Sequence, residues 1–187
     1  NFNNDVGVPK TLLRINEKHD IAVVEMGASH PGDIEKLVNY VEPTCGLITN
    51  VGRAHLLGFG SFEGVKKTKG ELYDFLTAHN GLLFLNESNP DLVEMARQRD
   101  FNRIITYGKD EDANIEGEVI SCAPFLKFSW TYSGTEESKF KTYEVQTHLI
   151  GAYNIDNMLG AITVGLHFGV TPEQINHALE NYIPANN

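Results

Sequence analysis

Hydrophobic and polar positions alternate along this chain with two periods. Short apolar runs occur at 21–26 (IAVVEM), 45–50 (CGLITN), 81–86 (GLLFLN) and 103–108 (RIITYG). Each is bounded by turn-forming or charged residues and has the length and β-branched content of a strand. Between them the period lengthens to that of a helix. Ile34, Leu37, Val38 and Val41 mark one face over 32–41, and Phe62, Val65, Leu72, Tyr73 and Leu76 mark one over 61–76. A third helix is predicted over 89–99, opened by Asn89-Pro90-Asp91, and a short one after Pro9. Apolar strands alternating with helices predict a mostly parallel sheet covered on both faces, an α/β fold.

The pattern changes after about residue 110. Residues 114–150 alternate with period two, contain a Ser133-Gly134 turn and show no helical stripe, so a small antiparallel β-meander is predicted there. Two helices follow, over 154–168 and 171–181, the second started by Thr171-Pro172-Glu173. No internal repeat or linker-like stretch interrupts the chain. The expectation is one α/β unit spanning 1–187 with a β subregion.

Composition narrows the function. The chain has 187 residues and a formal charge of −10, which disfavours general binding to nucleic acid or to an anionic membrane surface. No apolar run approaches the ~20 residues that span a bilayer, so no membrane insertion is expected. Cys45 and Cys122 lie far apart in apolar sequence, with no CxxC spacing. Two free buried thiols in a reducing compartment, the cytoplasm, is the expectation. The chain opens on loop-like sequence without Met and stops just after a helix, as an excised domain would.

Candidate chemistry starts at Glu25, where a strand-like run delivers a carboxylate into Gly27-Ala28-Ser29. A charge at the edge of a core is costly unless it is paired or coordinates a cation. In parallel sheets ligands sit beyond the carboxyl ends of the strands. Glu25 ends one such run, and His55 follows the next, in the loop after Asn50. The two suit a divalent-cation half-shell or an acid/base pair. A capping or ion-paired glutamate and an ordinary loop histidine remain open for them. Lys69 falls in the middle of the apolar stripe of the 61–76 helix, with Lys66 at its margin and Lys67 opposite. An inward lysine snorkels, pairs with an acid, or loses its proton. A neutral amine can also take up CO₂ as a carbamate, an anionic oxygen ligand.

Four segments carry a resemblance: NFNNDVGVPKTLL (1–13), VVEMGASHPGDI (23–34), ITNVGRAHLLGFGSFEGVKKTKGEL (48–72) and GAYNIDNMLGAI (151–162). Together and in this order they resemble the Mur ligases, the ATP-dependent amide-forming enzymes of peptidoglycan precursor synthesis. The opening loop and the AHLLGFGS segment resemble the type that joins D-Ala-D-Ala to UDP-MurNAc-tripeptide. The resemblance implies the central, P-loop NTPase-like ATPase domain of a three-domain protein, with flanking N- and C-terminal domains as partners. It implies that Glu25 and His55 are Mg²⁺ ligands and that Lys69 is carbamylated and supports a second Mg²⁺. Asn154 and Asn157 would lie beside the adenine and ribose of ATP. Asn3, Asn4 and Ser29 would contact the UDP-linked substrate.

Some positions depart from the family pattern. Tyr153 stands where the nucleotide motif usually has His, and Ser29 where Asn is common. The clustering of Lys66, Lys67 and Lys69 leaves open which of them carries the carbamate. No Gly-rich loop ending in Gly-Lys-Thr occurs in the sequence. It is expected upstream, so this stretch alone is expected to bind ATP weakly and to catalyse nothing. A folylpolyglutamate-type or cyanophycin-type ligase, or a non-catalytic module with Glu25 and Lys69 ion-paired, are the alternatives.

Overall fold

A computed structural model describes residues 2–52, 56–109, 112–133 and 141–184. The chain divides into two compact units, one of residues 1–83 and 94–103, the other of 84–93 and 104–187.

The first unit is mainly helical. It contains α1 (Gly7–Leu12), α2 (Asp33–Val41), β1 (Cys45–Leu47), α3 (Leu56–Phe59) and α4 (Phe62–Ala78). Helix α4 forms where the apolar stripe predicts it, and its ends are chemically defined. Ser61 accepts a hydrogen bond from Gly64 N at 3.0 Å and so caps an otherwise unpaired first turn. At the other end Asn80 adopts φ 52°, and Gly81 N donates to Leu76 O at 2.7 Å, a Schellman-type stop. Val65, Leu72, Tyr73 and Leu76 are buried, with Leu72 and Leu76 lying against Gly46 of β1 and the Tyr73 ring edge-on to Phe101 at 5.6 Å. Helix α2, which buries Leu37 and Val38, packs on the same helix. Each such side chain contributes about 1.5–3 kcal/mol by leaving water.

The second unit is built on an antiparallel meander. β4 (Ile115–Cys122) pairs with β5 (Phe125–Tyr132), and β5 with β6 (Tyr143–Ile150), in registers such as Gly117↔Trp130 and Phe128↔Val145. One face is buried at every second residue, Leu126, Phe128 and Trp130 on β5 and Tyr143, Val145 and Leu149 on β6, with Thr147 among them satisfying its hydroxyl on the Leu126 carbonyl at 2.9 Å. Helices α6 (Asn154–His167) and α7 (Pro172–Asn181) supply Ile155, Leu159, Ile162 and Ile175 to that core. Gly117 permits the close approach of α6, since a Cβ there would stand 2.5 Å from Leu159. Asn176 of α7 accepts from the buried Trp130 Nε1 at 2.9 Å.

The strands hydrogen-bond in the order β1-β2-β3-β4-β5-β6, with β2 at Leu82–Asn86 and β3 at Ile104–Gly108. Helix α4 lies between β1 and β2 in the chain, and α5 (Pro90–Arg97) between β2 and β3, the helical crossovers of an α/β sheet. β3 pairs parallel with β4 through Tyr107↔Ile115, and the antiparallel pairs follow. The sheet is therefore the mixed α/β arrangement expected, with its antiparallel part at 115–150.

Some expectations fail locally. Residues 21–28 form no strand: Ile21 is 49% and Val23 85% exposed, and no strand among the described residues offers the run a ladder. β-Propensity without a paired edge does not make a strand. The short first helix begins at Gly7, so Pro9 is its third residue rather than its start. Neither cysteine is buried, Cys45 being half-buried and Cys122 exposed. Gly134 of the expected turn lies outside the described residues. Among the described residues no helix is long and apolar enough to cross a membrane.

Candidate functional site

The first unit gathers part of the anticipated constellation. Asn3 Nδ2 donates to Glu25 Oε1 at 2.9 Å, and Gly27 N donates back to Asn3 O at 2.7 Å. Gly27 is what lets the opening loop lie this close, since a Cβ there would stand 2.6 Å from Asn3 Nδ2. Asn3, Glu25, Phe2, Thr11, Val23 and Val24 line a small recess of about 200 Å³. Glu25 itself is exposed, which corrects the premise of a carboxylate forced to the edge of a core. With water and one amide donor it needs no cation to be stable in place. Asn4 is engaged differently. Its Oδ1 accepts from Gly7 N at 2.8 Å and Val6 N at 3.2 Å, holding the first turn of α1.

Ser29 sits in a polar knot. Asp33 Oδ2 accepts from Ser29 N and His30 N, both at 2.9 Å, and from Ser29 Oγ at 3.3 Å. The Ser29 amide leads the causes that hold the Asp33 carboxyl below its ordinary value of 3.8. One residue further, Glu71 of α4 accepts from Gly32 N at 2.9 Å through one oxygen and from Glu35 N at 2.8 Å through the other.

The three clustered lysines are separated by their partners. Lys67 is exposed. Lys66 is only 9% exposed and forms ion pairs with Glu94 at 2.6 Å and Glu63 at 3.7 Å. Lys69 is half-buried and donates to the backbone carbonyl of Asn50, three residues beyond β1. Burial pushes its amine below 10.5, toward the neutral form. No ion pair joins it to Glu25, whose partner is Asn3. His55 lies outside the described residues. Among the described residues no three His, Cys, Asp or Glu side chains cluster as a cation site. Of the groups described, the exposed Glu25 carboxylate is an oxygen donor of the kind a hard cation such as Mg²⁺ takes.

The second unit carries Asn154 and Asn157 at the start of α6. Asn154 Nδ2 donates to Ile150 O at 2.9 Å, and its Oδ1 accepts from Asn157 Nδ2 at 3.3 Å. The preceding Tyr153 is 73% exposed and packs its ring on Gly151, whose φ of 99° suits glycine. Tyr153 borders an open groove of about 930 Å³ shared with Lys109, Glu118, Ser129 and Thr131. Lys109 pairs with Asp156 at 3.3 Å. Burial, with the Asp156 charge added, pushes the neighbouring Tyr107 hydroxyl up to about 12.

Sequence reasoning missed Asn50, Glu71, Lys109 and Asp156. Asp33 was missed too, although an acid in the first turn of a helix is a local signal that could have found it. Glu71 had no local signal, since its partners lie 39 and 36 residues away.

Residues 1–165 match the sequence model of the Mur ligase middle domain. The chain is 36% identical over 182 residues to the UDP-N-acetylmuramoyl-tripeptide--D-alanyl-D-alanine ligase of Haemophilus influenzae, covering 96% of this chain and 37% of that protein. It superposes on MurF from Acinetobacter baumannii with a TM-score of 0.81 at 28% identity, over 100% of this chain and 39% of the other. The MurF ligase of Thermotoga maritima in complex with ADP shares the fold, with a TM-score of 0.77 at 22% identity over 98% and 40% of the two chains. The chain thus spans well under half the length of the curated relatives it matches.

Proposed function

Because this chain belongs to the Mur ligase family, as a match to its middle domain, we propose that it is the ATP-using part of a ligase that joins D-alanyl-D-alanine to UDP-N-acetylmuramoyl-tripeptide. The acceptor assignment rests on the named activity of the H. influenzae relative. The nucleotide assignment draws on the family resemblance and on the ADP held by the T. maritima protein of the same fold. The single structural observation that carries the reading is Lys69, a half-buried amine shifted toward neutrality and bonded to a carbonyl instead of an acid.

Glu25, His55 and a carbamate on Lys69 would hold magnesium, which supplies charge neutralisation where two anions must meet. The remaining roles belong to the chain's own side chains. Asn3 orients the Glu25 carboxylate through its amide and, with Ser29, faces the UDP-linked peptide. Asn50 fixes the direction of the Lys69 amine. Asn154 and Asn157 present amides beside the base and ribose of the nucleotide. The peptide carboxylate would accept the γ-phosphoryl group, and the amine of D-alanyl-D-alanine would then displace phosphate from the acyl phosphate. The triphosphate cradle, a Gly-rich loop absent from these 187 residues, would come from elsewhere in the protein, as would the flanking domains. The two free cysteines fit a cytoplasmic setting.

The test uses the whole protein with both substrates and ATP. Glu25→Ala is expected to lower ADP release by about 100-fold or more, the scale of a lost charge-stabilising group. Wild-type turnover in that variant removes the metal role. Turnover with glutamate-type acceptors in place of D-alanyl-D-alanine would move the protein to another branch of the family.

A further inference from the structure

We infer that Glu71 is a positioning residue, a two-pronged clamp by which helix α4 holds the 25–32 loop in register with Lys69. Helix α2 starts at Asp33 behind Gly32, which has φ 86° and no side chain to cap the helix. The exposed N–H groups of that first turn are instead met by a carboxylate from another helix. Glu71 Oε1 takes Gly32 N at 2.9 Å and Oε2 takes Glu35 N at 2.8 Å. Both bonds are charge-assisted and lie at the positive end of a helix dipole, where a carboxylate is favoured.

The geometry makes this more than a cap. Glu71 is two residues from Lys69, so the two side chains leave α4 about 200° apart around its axis. Lys69 reaches the carbonyl of Asn50 on one side, while Glu71 grips the start of α2 on the other. The loop between Glu25 and Gly32 is pinned from both ends: Asn3 holds Glu25 and Gly27, and Glu71 holds Gly32. Asp33 ties Ser29 and His30 within it. One rigid helix therefore sets the distance between the lysine and the loop that carries Glu25 and Ser29. A carboxylate is required for both bonds, because a glutamine offers one acceptor and turns an N–H₂ toward the second N–H.

This inference rests on the magnesium reading above, and the experiment separates the two. In the whole protein, Glu71→Gln is compared with wild type, with Glu25→Ala, and with Thr171→Ala, which removes a helix cap in the second unit. Amide exchange is followed over 26–35, and Mn²⁺ binding is measured as a spectroscopic stand-in for Mg²⁺. Glu71→Gln is expected to speed exchange of the 26–35 amides roughly tenfold, the scale of a lost cap, and to weaken Mn²⁺ binding severalfold. Thr171→Ala should lower stability while leaving both unchanged. Unaltered loop exchange in Glu71→Gln overturns the clamp. Faster exchange with wild-type Mn²⁺ affinity, while Glu25→Ala loses the ion, overturns its link to the site. Wild-type Mn²⁺ affinity in both Glu25→Ala and Glu71→Gln overturns the magnesium reading and the positioning role together.

Discussion

Replacing Lys66 and Lys69 one at a time by Met should separate a structural lysine from the one proposed to take up CO₂, three residues away. Lys66 is nearly buried, and its ammonium lies 2.6 Å from Glu94 and 3.7 Å from Glu63. Methionine keeps the packing of the aliphatic stem and removes the charge. The losses include one strong charge-assisted hydrogen bond to Glu94, a weak, solvent-screened pair with Glu63 and the approach of the ammonium to the Phe62 ring. Glu94 is more than half exposed and regains water, so no buried charge is stranded. The net cost is about 1–2 kcal/mol, or a few degrees in Tm for a unit of this size. Lys69→Met also loses a hydrogen bond, to the Asn50 carbonyl. It is relieved, however, of desolvating a half-buried ammonium, and the two terms oppose, leaving a change within about 1 kcal/mol. The assay is urea denaturation combined with trapping of ¹³C-labelled CO₂ on the protein and mass analysis. Lys66→Met should be the less stable variant and retain the adduct; Lys69→Met should keep its stability and lose it. An adduct that survives in Lys69→Met, or disappears only in Lys66→Met, refutes the assignment.

Two further outcomes concern the elements around the site. The folded-state pKa of Asp33 is depressed, so its contribution is present above 3.8 and is lost as pH falls through the lower folded value. The stability gap between wild type and Asp33→Asn, measured by chemical denaturation, should therefore shrink on acidification below 3.8; an equal gap at neutral and acid pH contradicts this. In the second unit Thr171 and Gln174 form a reciprocal capping box, so Thr171→Ala should cost about 1 kcal/mol, read as a lower denaturation midpoint with an unchanged slope.

Much of the architecture was legible in the chain. The period of the apolar positions located α2, α4 and the antiparallel meander, because side-chain direction within one element depends only on its own repeat, and cap residues marked the starts of α5 and α7. The stripe put Lys69 further inward than Lys66, but Lys66 is the buried one and Lys69 only half-buried, because Glu94 draws the Lys66 amine in. The Thr171 cap was readable from Thr171-Pro172-Glu173. The run at 21–26 shows the limit of such reading. Its composition is that of a strand, but a strand exists only where another backbone supplies its hydrogen bonds.

What the amino-acid order determined on its own was local: which faces are apolar, where helices start and stop, and which residue types are available for chemistry. Tertiary structure decided the partners. It joined Asn3 to Glu25 across 22 residues, committed Asn4 to a helix turn, gave Lys66 and not Lys69 an acidic partner, and brought Glu71 to the start of α2. The physical reason is that a hydrogen bond or an ion pair depends on separations of a few ångströms between groups far apart in the chain. Those separations are set only once the helices have packed.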